Sequence, residues 1–275
     1  MSWISSNLIN TVSTWNSKLA EIIRLLLMPP ELFNDGNIWQ MILNINGAMQ
    51  AIAYALLVLF FVTGVVKTCG NFAEIKRPEQ AFRLFFRFAI AKGIITYGMD
   101  LLLAIMKIVQ GIASTMYQNR GAAFSIATIP DEIFLPIESA SFWDKIPLGA
   151  VTILGSLFVT VISFVIILTI YGRFFKLFMY AAIAPIPLST MAGEPTQNIA
   201  KSFIKSFVAV CLEGVIIVLA CLIFSAFVSS SPTIDTSQDA ISIVWSYLGQ
   251  LAFNLLILLG TVRASDRIVR EMMGL

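Results

Sequence analysis

Charged side chains lie deep inside two of the long apolar runs of this 275-residue chain. Lys92, Asp100 and Lys107 fall in one run, and Glu213 falls in another. A charge at the depth of a bilayer is costly, so such residues usually face protein or water. Two interpretations stay open at this point. These side chains line a polar conduit or a proton- or ion-sensitive site, or they join helices by pairing with opposite charges within the chain or on a neighbouring subunit.

The residue types exclude several catalytic chemistries. The chain has no histidine, which removes histidine-based nucleophilic triads, HExxH zinc sites and histidine proton relays. Gly98-Met99-Asp100 faintly resembles an intramembrane aspartyl protease site, but that chemistry needs two aspartates, and no second one lies in an apolar run. Three cysteines form no CxxC pair and are expected to be reduced structural thiols: Cys69, Cys211 and Cys221. We therefore predict no enzyme activity, and no catalytic, metal-binding or cofactor-binding residues.

The apolar runs themselves predict the fold class. Each is long enough to cross a bilayer, which takes about 20 helical residues, and they cover 41–66, 88–117, 148–171, 202–229 and 240–262. Only 12% of the residues are charged, against about 25% in soluble domains. We expect an all-α integral membrane protein with about five transmembrane helices. A polytopic membrane domain over 38–275 follows an external amphipathic helix and loop over 1–37.

Basic residues gather in alternate gaps between the runs. By the positive-inside rule, this alternation places the N-terminus outside and the C-terminus in the cytoplasm. Such clusters are expected to contact lipid headgroups or to dock cytoplasmic partners. The residues concerned are Lys76, Arg77, Arg83, Arg87, Arg173, Lys176, Lys201, Lys205, Arg263, Arg267 and Arg270.

The pattern of residues 1–28 predicts an amphipathic helix that does not span the membrane. One apolar stripe recurs at helical spacing: Ile4, Leu8, Val12, Trp15, Leu19, Ile22 and Leu26. The helix either lies in the membrane interface, packs into an oligomer, or lines a wet space. Its candidate pore-side face is polar but hardly charged, and consists of Ser5, Asn7, Thr11, Thr14 and Lys18.

Two helix boundaries also follow from local sequence signals. Pro78 suits a first helical position, and no helix breaker follows before Tyr117, so one continuous helix is predicted over 78–117. After the third run, residues 174–191 are again apolar but interrupted by Pro185 and Pro187. Either the third helix continues below the membrane, or this stretch forms a re-entrant or interfacial segment.

Two stretches match a pattern of basic, aromatic and proline residues. The first motif stretch is Lys76-Arg77-Pro78-Glu79-Gln80-Ala81-Phe82, continuing through Arg83, Phe88 and Lys92. The second motif stretch runs from Tyr171-Gly172-Arg173 through Ala184-Pro185-Ile186-Pro187 and the sequence MAGE at 191–194 to Lys201 and Glu213. Together they resemble the TrbL-type conjugal transfer proteins, in their Gram-positive branch.

This resemblance implies a multi-pass subunit of the bacterial cell membrane, akin to the VirB-type channel subunit of type IV secretion systems. It implies a homo-oligomeric ring, with five copies expected, that helps move DNA and protein substrates while other subunits supply the ATPases. The external loop over 118–146 is shorter than in typical relatives, so its role is not carried over. The alternative is a stand-alone small-solute channel or transporter, but five spans cannot divide into the equal halves of an inverted repeat.

Overall fold

The computed structural model describes residues 3–68, 78–119, 129–130, 133–139, 141–228 and 239–275. Helices account for nearly all of them. The α-helices are α1 (Trp3–Leu27), α2 (Asn37–Thr68), α3 (Pro78–Thr96), α4 (Gly98–Asn119), α5 (Phe134–Ser139), α6 (Phe142–Ile183), α7 (Pro185–Ser189), α8 (Gln197–Val228) and α9 (Ala240–Met273). Short 3-10 helices cover Pro30–Gly36, Thr190–Ala192 and Glu194–Thr196.

Five stretches of the described chain are long and apolar enough to cross a membrane. They are Pro30–Val66, Gly98–Asn119, Lys145–Ile183, Glu194–Val228 and Ile241–Met273. The predicted all-α membrane fold class with five spans is therefore confirmed. The helix α6 has 42 residues and is about 63 Å long at 1.5 Å per residue. Since the hydrocarbon core is about 30 Å thick, part of α6 lies outside it.

Packing divides the chain into two compact units, each built from three segments. The first unit contains Met1–Leu27, Ala113–Gly172 and Gly214–Arg267. The second unit contains Met28–Ile112, Arg173–Glu213 and Ile268–Leu275. The described residues of the two motif stretches lie in the second unit, except Tyr171 and Gly172.

The apolar stripe of α1 is buried, and its first part packs within the first unit. Every one of the seven stripe residues is buried. Ile4 and Leu8 belong to one hydrophobic core together with Ile133, Ile137, Leu148, Ile243, Val244, Tyr247 and Leu248. A Cβ atom at Gly149 would stand 2.9 Å from the Trp3 ring, so that glycine makes room for the start of α1. Packing within the protein accounts for the stripe, and the interface placement is not needed to cover it.

In the second unit, α2 runs alongside the chain that leaves α6. Residues 184–196, here called the proline segment, contain α7 and two 3-10 helices. Successive contacts follow the same direction in both partners: Phe33 with Phe174, Trp39 with Phe178, Asn46 with Ala181, and Gly64 with Gly193. Helix α6 therefore continues to Ile183, as expected if the third helix extends beyond its apolar run. Residues 174–193 pack along the candidate span that contains α2, and their path relative to the membrane stays a prediction.

The predicted continuous helix over 78–117 is two helices, α3 and α4, with a break at Tyr97. The backbone hydrogen bonds on either side persist, since Tyr97 N–H donates to the Gly93 carbonyl and Tyr97 accepts from Leu101 N–H. Beside the break, a Cβ atom on Gly98 would stand 3.0 Å from Leu188 of α7. The break thus lies next to a glycine against which α7 packs closely.

Substitution of Gly193 by alanine tests the close backbone contact between α2 and the proline segment. The added Cβ would lie 2.8 Å from the Phe60 carbonyl oxygen and 2.7 Å from Thr196 Oγ1. Overpacking of this kind costs about 1–3 kcal/mol, so we expect the apparent Tm in detergent to fall by roughly 3–10 °C. The control is Gly47→Ala on α2, where nothing lies within 4 Å of the added atom. Equal melting of the two variants would contradict the contact.

Candidate functional site

The proline that ends α6 leaves a backbone acceptor without its helical donor. In an α-helix the carbonyl of residue 181 would accept from the N–H of residue 185, but Pro185 has no N–H. The side chain of Asn46 replaces it, because its Nδ2 donates to the Ala181 carbonyl oxygen at 2.7 Å. Asn46 is buried. Since a bilayer offers no water to an orphan carbonyl, α2 supplies the hydrogen bond that the proline removes.

Asn46 begins a polar stripe on α2, which consists of Asn46, Gln50 and Tyr54. Their spacing of four places them on one helix face. Gln50 Nε2 donates to the Ile95 carbonyl oxygen at 3.3 Å, and the Tyr54 hydroxyl lies 2.9 Å from Thr96 Oγ1. The stripe therefore joins α2 both to α6 and to the end of α3. These three residues were not predicted from the sequence, although polar residues at every fourth position within an apolar run could have indicated a contact face.

Three charged residues form a charge cluster where α6 meets α8: Arg173, Lys176 and Glu213. Glu213 is 3% exposed and Arg173 is 8% exposed. Lys176 Nζ lies 3.7 Å from Glu213 Oε2, and Arg173 Nε donates to the Val210 carbonyl oxygen at 3.4 Å. Among the described residues, Arg173 Nη1 has no hydrogen-bond partner. The cluster thus holds two cations and one anion within two candidate spans.

The charge cluster bears on two of the expectations from sequence. Glu213 was expected to pair within the chain or with a neighbouring subunit, and it lies beside Lys176. Arg173 was predicted to contact lipid headgroups or a partner, and in the single chain its side chain is buried against α8. The sequence could not show this, because the side of α6 that carries Arg173 is set by packing.

The other three charges of the predicted second apolar run are more open. Lys107 Nζ lies 3.5 Å from Glu31 Oε1, so it pairs with the turn before α2. Asp100 and Lys92 are exposed, and within the described parts of the chain Asp100 has no hydrogen bond or ion pair. The structure therefore does not bring Asp100 and Lys107 together as a pair.

Most of the predicted basic clusters are on the surface. The described exposed members are Arg83, Lys201, Lys205, Arg263, Arg267 and Arg270. Lys76 and Arg77 lie outside the described residues. Arg87 is half-buried, and its Nη1 lies 3.3 Å from Glu194 Oε2. This contact joins the first motif stretch to the MAGE sequence of the second, so the two stretches meet in space.

The polar face of α1 is open only in part. Ser5 and Thr11 are buried, and Thr11 Oγ1 donates to the Asn7 carbonyl oxygen at 2.8 Å. Burial removes both from any pore-side surface. Thr14 is exposed, and Asn7 and Lys18 are half-buried, so these three remain as candidates for such a face.

Comparison with known proteins matches this region to a family. A family model described as TrbL/VirB6 plasmid conjugal transfer like protein covers residues 15–185. It spans more than half of the chain and contains Asn46, the whole first motif stretch and Pro185. No curated protein and no solved structure matches the chain.

Replacement of Asn46 by leucine should expose the orphan carbonyl of Ala181. An unsatisfied buried acceptor costs about 1–3 kcal/mol, and we expect that loss in the free energy of unfolding. In a Pro185→Ala background the residue at 185 regains an N–H, so the same substitution should cost less. A double-mutant cycle of apparent Tm values measures this coupling. The control is Asn44→Leu, at an exposed amide two residues away, and additive effects in the cycle would refute the assigned hydrogen bond.

Neutralising Glu213 should destabilise the protein far more than neutralising Glu194. Removing one partner from a fully buried ion pair costs about 3–5 kcal/mol, and a surface pair is worth about 0–1 kcal/mol. The pair of buried Glu213 with half-exposed Lys176 lies between these limits. Glu213 is 4% exposed at its side chain and Glu194 is 56% exposed, and each lies within ion-pair distance of a basic side chain. Glu213→Gln and Glu194→Gln are therefore matched variants for thermal unfolding. Similar losses in the two would show that the charge cluster is not a stabilising element.

Proposed function

The chain belongs to the TrbL/VirB6 family of plasmid conjugal transfer proteins, and from this premise we propose its part in the secretion apparatus. Family membership makes it a component of a conjugal transfer system, and its five apolar helical stretches make it a multi-pass membrane protein. The proposed role is a non-enzymatic channel and scaffold subunit in the bacterial cell membrane. It assembles as a homo-oligomeric ring, with five copies expected, and aids the passage of DNA and protein substrates.

The observation that carries the scaffold role is the meeting of the two motif stretches in one packed unit. Asn46 holds the carbonyl that Pro185 leaves open, and Arg87 contacts Glu194. Both contacts join segments that are far apart in sequence, and the contact of Arg87 with Glu194 joins the two motif stretches. Since they orient helices and contain no reactive pair, they support a role in shaping a membrane complex.

Ring assembly is supported by an exposed charge within a candidate span. Asp100 lies in Gly98–Asn119 and is exposed in the single chain. An acidic side chain facing lipid is costly and is normally placed against protein or water. In the proposed ring, a second copy or a water-filled lumen covers Asp100. For its part, the open polar face of α1, which is Asn7, Thr14 and Lys18, faces water in the proposed assembly.

Orientation and partners follow from the surface charges. The exposed basic residues face the cytoplasm, which leaves the N-terminus outside. They contact phospholipid headgroups and the cytoplasmic ATPases that supply energy, and they comprise Arg83, Lys201, Lys205, Arg263, Arg267 and Arg270. Substrates pass through the complex, and this chain adds no chemical step.

Asp100→Asn tests the ring role without disturbing the folded chain. Because Asp100 makes no ion pair within the described residues, we expect an unchanged apparent Tm. Loss of a between-copy or lumen contact of about 1.4 kcal/mol corresponds to about a tenfold effect, so we expect conjugation frequency to fall by about that factor. Native mass spectrometry of the detergent-solubilised protein should show several copies for the unsubstituted chain and fewer for the variant.

The matched control is Glu79→Gln, at an exposed acid in the first turn of α3 and before the candidate span. It should leave transfer and copy number unchanged. Two results would contradict the proposed ring. One is an unsubstituted protein that is monomeric, and the other is an Asp100→Asn variant with an unchanged conjugation frequency.

A further inference from the structure

A groove lies between α3 and the residues around the MAGE sequence in the second unit. It has a volume of 460 Å³ and is lined by Arg83, Phe86, Arg87, Ile90, Ala91, Met191 and Gln197. Its lining therefore combines two guanidinium groups and one amide with four apolar side chains. We call this feature the arginine groove.

The polar end of the arginine groove suits one phosphate group. Arg83 is exposed and, in the described part of the chain, has no ion pair. Arg87 directs Nη1 to Glu194 Oε2 at 3.3 Å, and a guanidinium has further N–H donors for a second acceptor. The Gln197 amide can donate to an ester oxygen. Glu194 neutralises part of the Arg87 charge, so Arg83 is the principal cation for an anion here.

The apolar end of the arginine groove suits a hydrocarbon chain. Phe86 is 61% exposed and Ile90 is 58% exposed, and the Ala91 side chain is fully buried beneath them. Met191 contributes a flexible apolar wall from the opposite side. These residues leave an open apolar surface directly beside the guanidinium groups.

The depth of the arginine groove agrees with a lipid headgroup. The Phe88 ring, one residue after Arg87, lies 4.9 Å from the Phe61 ring of α2. Phe61 is close to the end of the candidate span Pro30–Val66. The arginines therefore lie at the level where a span reaches the membrane surface, and basic residues at that level attract anionic lipids.

We infer that the arginine groove binds one anionic glycerophospholipid. Its phosphate lies on Arg83 and Arg87, and one acyl chain follows Phe86, Ile90 and Met191. An acidic protein partner would use the arginines but would leave the apolar end open, which favours the lipid. The inference rests on the proposed membrane placement of these residues and goes beyond it by naming the ligand class and its contacts.

The test is lipid binding by the full-length, delipidated protein in detergent, followed by native mass spectrometry. Three probes separate the sources of the phosphate: phosphatidylglycerol, phosphatidylcholine with the same acyl chains, and soluble glycerol phosphate. We expect phosphatidylglycerol to bind roughly fivefold tighter than phosphatidylcholine, and glycerol phosphate not to compete.

Two variants probe the two ends of the arginine groove independently. Arg83→Gln should weaken phosphatidylglycerol binding roughly fivefold and remove the preference for it. Ile90→Trp should fill the apolar end and weaken both lipids while the charge is kept. The matched control is Arg24→Gln, an exposed arginine in the last turn of α1 that does not line the groove, and it should bind lipid normally.

Several results would overturn the lipid assignment. Equal binding of the two lipids, or unchanged binding in both variants, would show that the groove does not select an anionic lipid. Competition by glycerol phosphate would assign it to a free phosphate, and Arg83-dependent capture of an acidic peptide without lipid binding would assign it to a protein. Copy number and conjugation frequency of the same variants separate the outcomes. A protein that forms the ring but binds no lipid would contradict only the lipid inference. A monomer that binds phosphatidylglycerol would contradict only the proposed ring.

Discussion

The hydrogen bond from Asn46 to the Ala181 carbonyl is the interaction on which the second unit depends. A proline inside a membrane protein removes a donor that lipid cannot replace. Here the replacement comes from a helix 135 residues away in sequence, so the end of α6 and the middle of α2 fix one another. The polar stripe extends this arrangement to α3, because Gln50 and Tyr54 bond to residues just before the break at Tyr97. Side-chain amides and hydroxyls thereby position the proline segment between helices that are otherwise apolar.

Burial separates charged residues that look alike in the sequence. Arg83 precedes an apolar run and Arg173 follows one. Arg173 nevertheless packs against α8, whereas Arg83 borders an open groove. In a low-dielectric interior, an arginine requires nearby acceptors, and the Val210 carbonyl supplies one to Arg173. At the surface, the same side chain is available to an external anion. The distinction gives α6 a buried arginine and α3 an exposed one, to which the proposed lipid would bind.

The sequence predicted the elements better than it predicted their contacts. Hydropathy and length found all five spans, because both are local properties of 20 or so residues. The stripe of α1 was also visible, since helical periodicity shows which face is apolar. The partner of that stripe, the pairing of Glu213 with Lys176, and the acceptor for Asn46 depend on which helices become neighbours. Which helices become neighbours is decided by the fit between their surfaces. The glycines that allow close contact, Gly64, Gly98 and Gly193, do not stand out in the composition.

The paired glycines Gly64 and Gly193 have a mechanical consequence. Their backbones approach so closely that a Cβ on Gly64 would lie 3.0 Å from the Gly193 Cα. Sliding α2 by one turn, about 5.4 Å, would bring a larger side chain to this point, and the interface has no room for it. Tilting about the same point keeps the two glycines together. The contact therefore acts as a pivot, which permits rocking of α2 against the proline segment and forbids translation along it.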